Sequence, residues 1–307
     1  MKAQHARPFL KWAGGKRQLL DELDARLPPG VREGGIKTYV EPFVGGGAVY
    51  FHANNIYAFD TCHIYDINEE LGLAYTVVRN DIEGLIDTLQ NMEVEYLSLA
   101  PEERKASYYE IRSRYNEAKR SIRWDRYSRE WTLRAADLIF LNKTCFNGLF
   151  RVNSKGEFNV PFGRYKNPRI LHEEVLRSDS HILENTTIHQ GDFSDCSRWV
   201  DEETFVYFDP PYRPLNQTSR FTSYSRDRFG DDDQRRLAEL FRRLDSKGAK
   251  LMLSNSDPRN EDPDDHFFDD LYAGYFIDRV PARRMINRDA GRRGEINELI
   301  ITNYRTR

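Results

Sequence analysis

The stretch TFVYFDPPY, residues 204–212, runs an aromatic, β-branched segment into a carboxylate, two prolines and a tyrosine. A bare Asp-Pro is a common way to turn a chain at the end of a strand. The full pattern can do more. Asp209 offers carboxylate oxygens, while Pro210, whose ring fixes φ, presents a rigid carbonyl that is free to accept a hydrogen bond. Two acceptors aimed at one small region suit an amino group with two hydrogens, such as the exocyclic nitrogen of a nucleobase. Tyr212 would supply a ring face for that base, and base–aromatic stacking is worth about 1–3 kcal/mol. Acceptors set this way turn the nitrogen lone pair out of conjugation and toward an electrophile.

Other residues narrow what that electrophile is. No cysteine stands near Asp209 in sequence, and no HxE is joined by the PCxxC that a zinc deaminase needs. Cys62, Cys145 and Cys196 are odd in number and far apart, so they read as reduced packing residues rather than a disulfide framework or a CxxC metal site. Gly45, Gly46 and Gly47 follow a strand and would let the backbone approach a ligand closely. They do not complete GxGxxG, because Tyr50 stands three positions after Gly47. Leu10 stands where WAGGKR would need the first glycine of a phosphate loop. Asp66, at the tip of the next strand, sits where an acid can accept ribose hydroxyls. A nucleoside cofactor without a pyrophosphate remains. Direct methyl transfer from a sulfonium is then the simplest chemistry, its barrier lowered by alignment and electrostatics.

A frame must hold these groups. TYVEPFVGGGAVYF (38–51) reads as strand, glycine loop and helix start, and CHIYDIN (62–68) as a second strand; together they make a βαβ unit and imply a parallel sheet. GGKRQLLDELDARLPPG (14–30) predicts a helix, with Leu19, Leu20, Leu23 and Leu27 at helical spacing. Residues 69–145 read as mainly helical. FRVNSKGEFNV (150–160) has a hairpin signal, with Gly156 free to take positive φ. HILENTTIHQGDF predicts a strand towards Asp192, and DDDQRRLAELFRRLDSKG an amphipathic helix with an acidic start. AKLMLSNSD and INELIITNY predict further strands.

With 307 residues, 39% hydrophobic and 31% charged, the chain can bury a substantial core and reads as globular rather than disordered. No apolar run approaches the roughly 20 residues of a membrane span, and no charged-then-apolar leader opens the sequence, so no membrane partner and a cytoplasmic location are expected. The formal charge of −3 hides an asymmetry. Residues 111–170 hold fourteen Lys/Arg against five Asp/Glu, a net +9, and the remainder carries −12. Such a basic segment suggests a polyanion-binding region set in an ordinary enzyme body, or else a solvated helical face.

FLKWAGGK (9–16), VEPFVGGGAV (40–49), YDIN (65–68), CFNGLFRVNSKGEFNVPFGRYKNP (145–168) and FDPPYRPL (208–215) occur in one order that resembles the Dam-type DNA adenine-N6 methyltransferases, including modification enzymes acting at GATC. The resemblance implies S-adenosylmethionine as donor and a Rossmann-like α/β fold with a mainly helical target-recognition insertion containing a β-hairpin. It implies a first catalytic part over 1–68, the insertion over 69–170 and a second catalytic part over 171–307. It further implies a cofactor pocket drawn from Trp12, Lys16, Phe43, Gly45, Gly46, Gly47, Asp66, Asp192, Phe193 and Asp209. Asp209, Pro210 and Tyr212 would hold an extruded adenine, with Tyr224 as a second aromatic beside it.

By the same resemblance Arg151 would contact a guanine through both guanidinium arms, the commonest specific base contact. Lys11 and Tyr165 would read the other outer guanine, Asn147 and Leu149 would face the central pairs, and Phe146 would wedge the stack open. Arg112, Arg114, Arg120, Arg123 and Arg126 read as phosphate contacts or solvated surface. Double-stranded DNA is thus the expected partner of a monomer, with a cognate restriction endonuclease in the same system as a further one. Alternatives are methylation of another planar amine (RNA adenine, cytosine N4 or protein glutamine) and a non-catalytic DNA-binding module. The acid at 209 favours adenine, since cytosine-N4 relatives usually carry Ser there and glutamine ones Asn.

Overall fold

The computed structural model describes residues 5–213, 229–283 and 295–306. In chain order the elements are α1 (Leu20–Ala25), α2 (Pro29–Arg32), β1 (Thr38–Glu41), α3 (Ala48–Ile56), β2 (Thr61–Asp66), α4 (Glu69–Asn80), α5 (Ile82–Ser98), α6 (Pro101–Ala118), α7 (Arg129–Thr144), α8 (Glu173–Leu183), β3 (Thr186–Gln190), β4 (Thr204–Phe208), α9 (Asp231–Asp245), β5 (Lys250–Ser256), α10 (Phe267–Leu271), β6 (Phe276–Arg283) and β7 (Glu295–Thr302). They fall into two compact units. One comprises Lys16–Val44, Ile56–Tyr65 and Gly191–Arg307, the other Met1–Gly15, Gly45–Asn55 and Asp66–Gln190. Among the described residues, no helix is long and apolar enough to cross a membrane.

The first of these units is built on a sheet with strands in the order β2-β1-β4-β5-β7-β6. β2, β1, β4 and β5 run parallel, as the βαβ pattern implies. The direction then reverses, because β7 pairs antiparallel with both β5 and β6. Every residue of β4 is buried, which is what a central parallel strand covered on both faces requires. α9 lays Leu237, Ala238, Leu240, Phe241 and Leu244 into a core shared with Phe208, Leu251, Leu253 and Leu299. Its acidic first turn, Asp231 to Asp233, and basic last turn, Arg242 and Arg243, match the helix dipole. Burying each such Leu or Phe contributes about 1.5–3 kcal/mol.

Three elements differ from the sequence expectation. The leucine-rich helix spans only Leu20–Ala25, with Leu19 capping it and Leu27 beyond it, because successive turns at Lys16–Leu19 and Pro28 confine it. The strand expected from His181 begins at Thr186, since His181–Leu183 complete α8. β6 is additional: FIDRVPAR mixes charges and a proline along an edge strand, where proline is tolerated and alternation is obscured.

The other unit is mainly helical. α7 is buried almost along its length and packs against α4, α5 and α6, while the hairpin after it closes through a single bridge, Val152 with Phe158, around Gly156 at φ +77°. On α8, Asp179 is wholly buried; its Oδ1 accepts the Arg7 backbone N–H at 2.9 Å and its Oδ2 has no partner among the described residues. Burial raises this carboxyl to about 8, against the opposing pull of Arg7 and Lys143. The folded chain therefore keeps a proton that the unfolded chain releases near 3.8. Stability from this group is full below that value and is lost as pH rises to about 8. Asp179→Asn mimics the protonated acid, so its advantage over the wild type should widen by up to about 1.4 kcal/mol per pH unit across that window. Denaturant titrations at pH 5, 7 and 9 test this, and an unchanging difference would refute it.

Candidate active site

β4 delivers Asp209 to the carboxyl end of the parallel strands, where ligands of open α/β sheets bind. The acid is held from two sides. Lys16 Nζ stands 2.6 Å from Asp209 Oδ1, and the Ser254 hydroxyl of β5 donates to the same oxygen at 3.3 Å. Tyr207 in turn shares a 2.7 Å hydrogen bond with Ser254. Lys16 Nζ also donates to the Tyr212 hydroxyl at 2.9 Å, and that hydroxyl donates between both oxygens of Glu298 on β7, each at 2.9 Å. Pro210 is buried, and the Pro211 carbonyl accepts from Gln234 of α9 at 3.2 Å. Tyr212 thus has its hydroxyl tethered while 42% of the residue remains exposed, which leaves ring surface open to a planar ligand.

The charges in this cluster depend on one another. Burial alone would lower the Lys16 ammonium, but Asp209, Tyr212 and Glu298 outweigh it and hold the pKa above the ordinary lysine value. Burial raises Asp209, with Lys16 and Ser254 opposing, and raises Glu298, with Lys16 and Tyr212 opposing. Burial likewise keeps the Tyr212 phenol protonated, against the pull of Lys16. One buried cation therefore faces two carboxylates, that of buried Glu298 and that of half-buried Asp209.

In the same unit Phe43 stacks on Phe193 with ring centres 5.3 Å apart, and Phe229 lies edge-on to Phe43 at 5.5 Å and tilted against Phe193 at 5.7 Å. Asp192 caps the following 3-10 turn through the Ser194 N–H at 3.0 Å and accepts from Arg236 with both oxygens at 3.1 Å. Burial pushes this carboxyl up, yet Ser194 and Arg236 hold it below its usual range.

The helical unit carries the glycine loop. Gly45 and Gly47 have φ of +48° and +73°, which only glycine adopts easily. A Cβ on Gly47 would lie 2.6 Å from the Tyr75 hydroxyl, and one on Gly45 or Gly46 would press on Trp12 at 3.2 or 3.1 Å. Asp66 accepts the Gly45 N–H at 3.0 Å and the Asn68 N–H at 2.8 Å, and Tyr75 donates to the Gly45 carbonyl at 3.0 Å. The loop is thus a bare-backbone cradle braced by an acid, a form that fits a nucleoside ligand. Trp12 stacks on Phe150 at 4.8 Å.

The expected base readers lie in this unit too. Lys11 is tied to the 3-10 turn Phe146–Gly148 through the Asn147 carbonyl, while its backbone exchanges hydrogen bonds with Asn142. Asn147 takes φ +59°, Phe146 is 53% exposed, and Leu149 is half-buried. Arg151 is exposed on the hairpin, its Nε donating to Asn159 at 2.7 Å, and Tyr165 is exposed as well. Of the basic-segment arginines, Arg114 braces buried Asp137 and Arg123 pairs with Asp125 at 3.0 Å, so part of the positive charge is spent internally. Tyr224 lies outside the described residues. Sequence reasoning missed Glu298, Ser254 and Arg236, each remote in sequence from the residue it serves.

A mostly parallel sheet with an antiparallel strand at β7, and an acid with two prolines and a tyrosine at the carboxyl end of its central strand, define the Rossmann-like methyltransferase class. The sequence model of the D12 class N6 adenine-specific DNA methyltransferases matches residues 12–286. Type II methyltransferase M.MjaIII of Methanocaldococcus jannaschii is 52% identical over 97% of this chain and 99% of its own length. Type II methyltransferase M1.LlaDCHI of Lactococcus lactis subsp. cremoris is 40% identical over 97% and 95%. The DNA adenine methylase of Haemophilus influenzae is 33% identical over 96% and 92%. The chain belongs to the D12 class of N6 adenine-specific DNA methyltransferases and is an adenine-specific DNA methyltransferase.

Proposed function

We propose that this enzyme transfers the methyl group of S-adenosylmethionine to N6 of an adenine rotated out of duplex DNA, within GATC. The observation that carries the reading is the tethered yet exposed Tyr212 beside Asp209 and Pro210. Extrusion costs a few kcal/mol in lost pairing and stacking, which stacking on Tyr212 offsets in part. Asp209 and the Pro210 carbonyl would then accept the two N6 hydrogens and turn the nitrogen lone pair toward the donor's methyl, the electron pair of the broken carbon–sulfur bond remaining on the donor's sulfur. The N6 proton leaves afterwards to water. In the helical unit Trp12, Gly45, Gly46, Gly47 and Asp66 are proposed to contribute to donor binding, and in the sheet unit Lys16, Phe43, Asp192 and Phe193 are. Bound there, the donor supplies the electrophilic methyl.

The insertion over 69–170 is proposed to grip duplex DNA. Arg151, Lys11 and Tyr165 would read the outer guanines, with Asn147 and Leu149 at the central pairs and Phe146 as the wedge. Its net positive charge and the exposure of Phe146, Arg151 and Tyr165 support this. A cytoplasmic monomer is part of the proposal, as is a role beside a cognate endonuclease, a setting matched by the type II names of two relatives. Transfer of labelled methyl to duplexes carrying GATC, or each base of it changed singly, is the test. Label only in intact GATC, recovered as N6-methyladenine, is the expected result. N6-methyladenine in another sequence would keep Asp209 and overturn the roles of Arg151 and Tyr165. No transfer to any duplex would overturn the proposal.

A further inference from the structure

Glu298 is 5% exposed on β7, and its polar partner is the hydroxyl of Tyr212, 2.9 Å from each carboxylate oxygen. Neighbouring Leu299, Ile300 and Ile301 show what packing alone selects along this strand. Taking a carboxylate out of water is costly unless a donor meets it, so a buried acid aimed at a phenol points to something the phenol must do. Tyr212 is 42% exposed, and packing cannot fix a ring so open. Its orientation rests on the hydroxyl, clasped between Lys16 Nζ and Glu298. Because the hydroxyl donates to Glu298, its lone pairs face Lys16, and the ammonium is shared between Tyr212 and Asp209, 2.6 Å away.

We propose that Glu298 is a positioning residue for methyl transfer: through the Tyr212 hydroxyl it sets the ring plane on which the target base stacks. This inference rests on the assignment of Tyr212 to the target adenine. Glu298→Gln keeps the shape and removes the charge; Tyr212→Phe keeps the ring and removes the hydroxyl. Steady-state kinetics on duplex DNA for the wild type, both single variants and the double variant close a cycle. Losing one charge-assisted hydrogen bond corresponds to about a 10- to 100-fold loss, which we expect in kcat for Glu298→Gln. KM for duplex should stay within about twofold, since ground-state binding is untouched. Tyr212→Phe should lower kcat comparably, and adding Glu298→Gln to it should cost nothing more.

Wild-type kcat in either single variant overturns the proposal. So does a double variant in which the two losses multiply, because Glu298 would then act independently of the hydroxyl. Failure of the underlying reading is told apart on the unaltered enzyme: no N6-methyladenine from the wild type would remove the target-base assignment and this inference with it.

Discussion

Asp209→Ala should lower the rate of methyl transfer by about 1,000-fold or more while duplex affinity stays within about threefold. Two effects of the acid can be separated by size. As a hydrogen-bond acceptor from N6 it contributes about 1 kcal/mol net, roughly a factor of five to ten. As a charge it faces the positive charge that develops on N6 during attack. At about 4 Å and an effective dielectric near 20, that attraction is about 4 kcal/mol, or about a thousandfold in rate. Charge therefore dominates, and Asp209→Asn, which keeps an acceptor oxygen, should be nearly as slow as Asp209→Ala. An asparagine variant with most of the wild-type rate would move the weight to orientation.

The same acid sets a pH dependence. Burial raises its pKa above 3.8, and Lys16 and Ser254 recover only part of the shift. Activity should fall with decreasing pH along a limb that lies above the range of a free aspartate, and Lys16→Met should move that limb further up. Duplex binding lost together with methylation in Asp209→Ala would instead mean that the acid holds the fold, since Lys16 would be left with Tyr212 as its remaining hydrogen-bond acceptor.

Some of this site could be read from local chemistry, and some could not. The run from β4 into Asp209, the glycine loop and the acid tip of β2 each follow from a residue pattern within a dozen positions. Their elements stand where those patterns put them. The leucine spacing of 14–30 overstated its helix because periodicity does not register the tight turns that flank it. β6 was hidden by Pro281 and by charges that an edge strand can carry. The reversal at β7 is also invisible locally, since INELIITNY reads alike in either direction. Glu298 illustrates the deeper limit. Its partner Tyr212 is 86 residues away, and only the register that pairs Glu298 with Ser256 of β5 brings the acid to the site. The resemblance assigns Lys16 to the cofactor, whereas its partners in the structure are the acid and the tyrosine of the DPPY turn.

The largest stability effect is expected at Glu70→Ala, in the helical unit. Arg134 of α7 is 2% exposed along its side chain and spends its donors inside the fold: Nε to Glu70 at 2.8 Å, a second arm to the other Glu70 oxygen, and a third to the Tyr115 carbonyl at 2.8 Å. Tyr115 and Trp124 cover the guanidinium with ring centres at 4.2 and 5.1 Å. Glu70 lies in the first turn of α4, whose N-terminal dipole also favours an acid, and Asn68 caps that turn. One ion pair thus joins α4, α6 and α7. Removing the carboxylate leaves a guanidinium that can neither reach water nor lose its proton, and breaking such a pair costs about 3–5 kcal/mol. Urea unfolding of Glu70→Ala should show a loss of that size. Replacing both partners by apolar residues of similar volume, Glu70→Leu with Arg134→Met, should recover most of it, because the desolvation cost disappears with the charges. A single variant within about 1 kcal/mol of the wild type would mean that water reaches Arg134, and that α4, α6 and α7 are held by their apolar contacts alone.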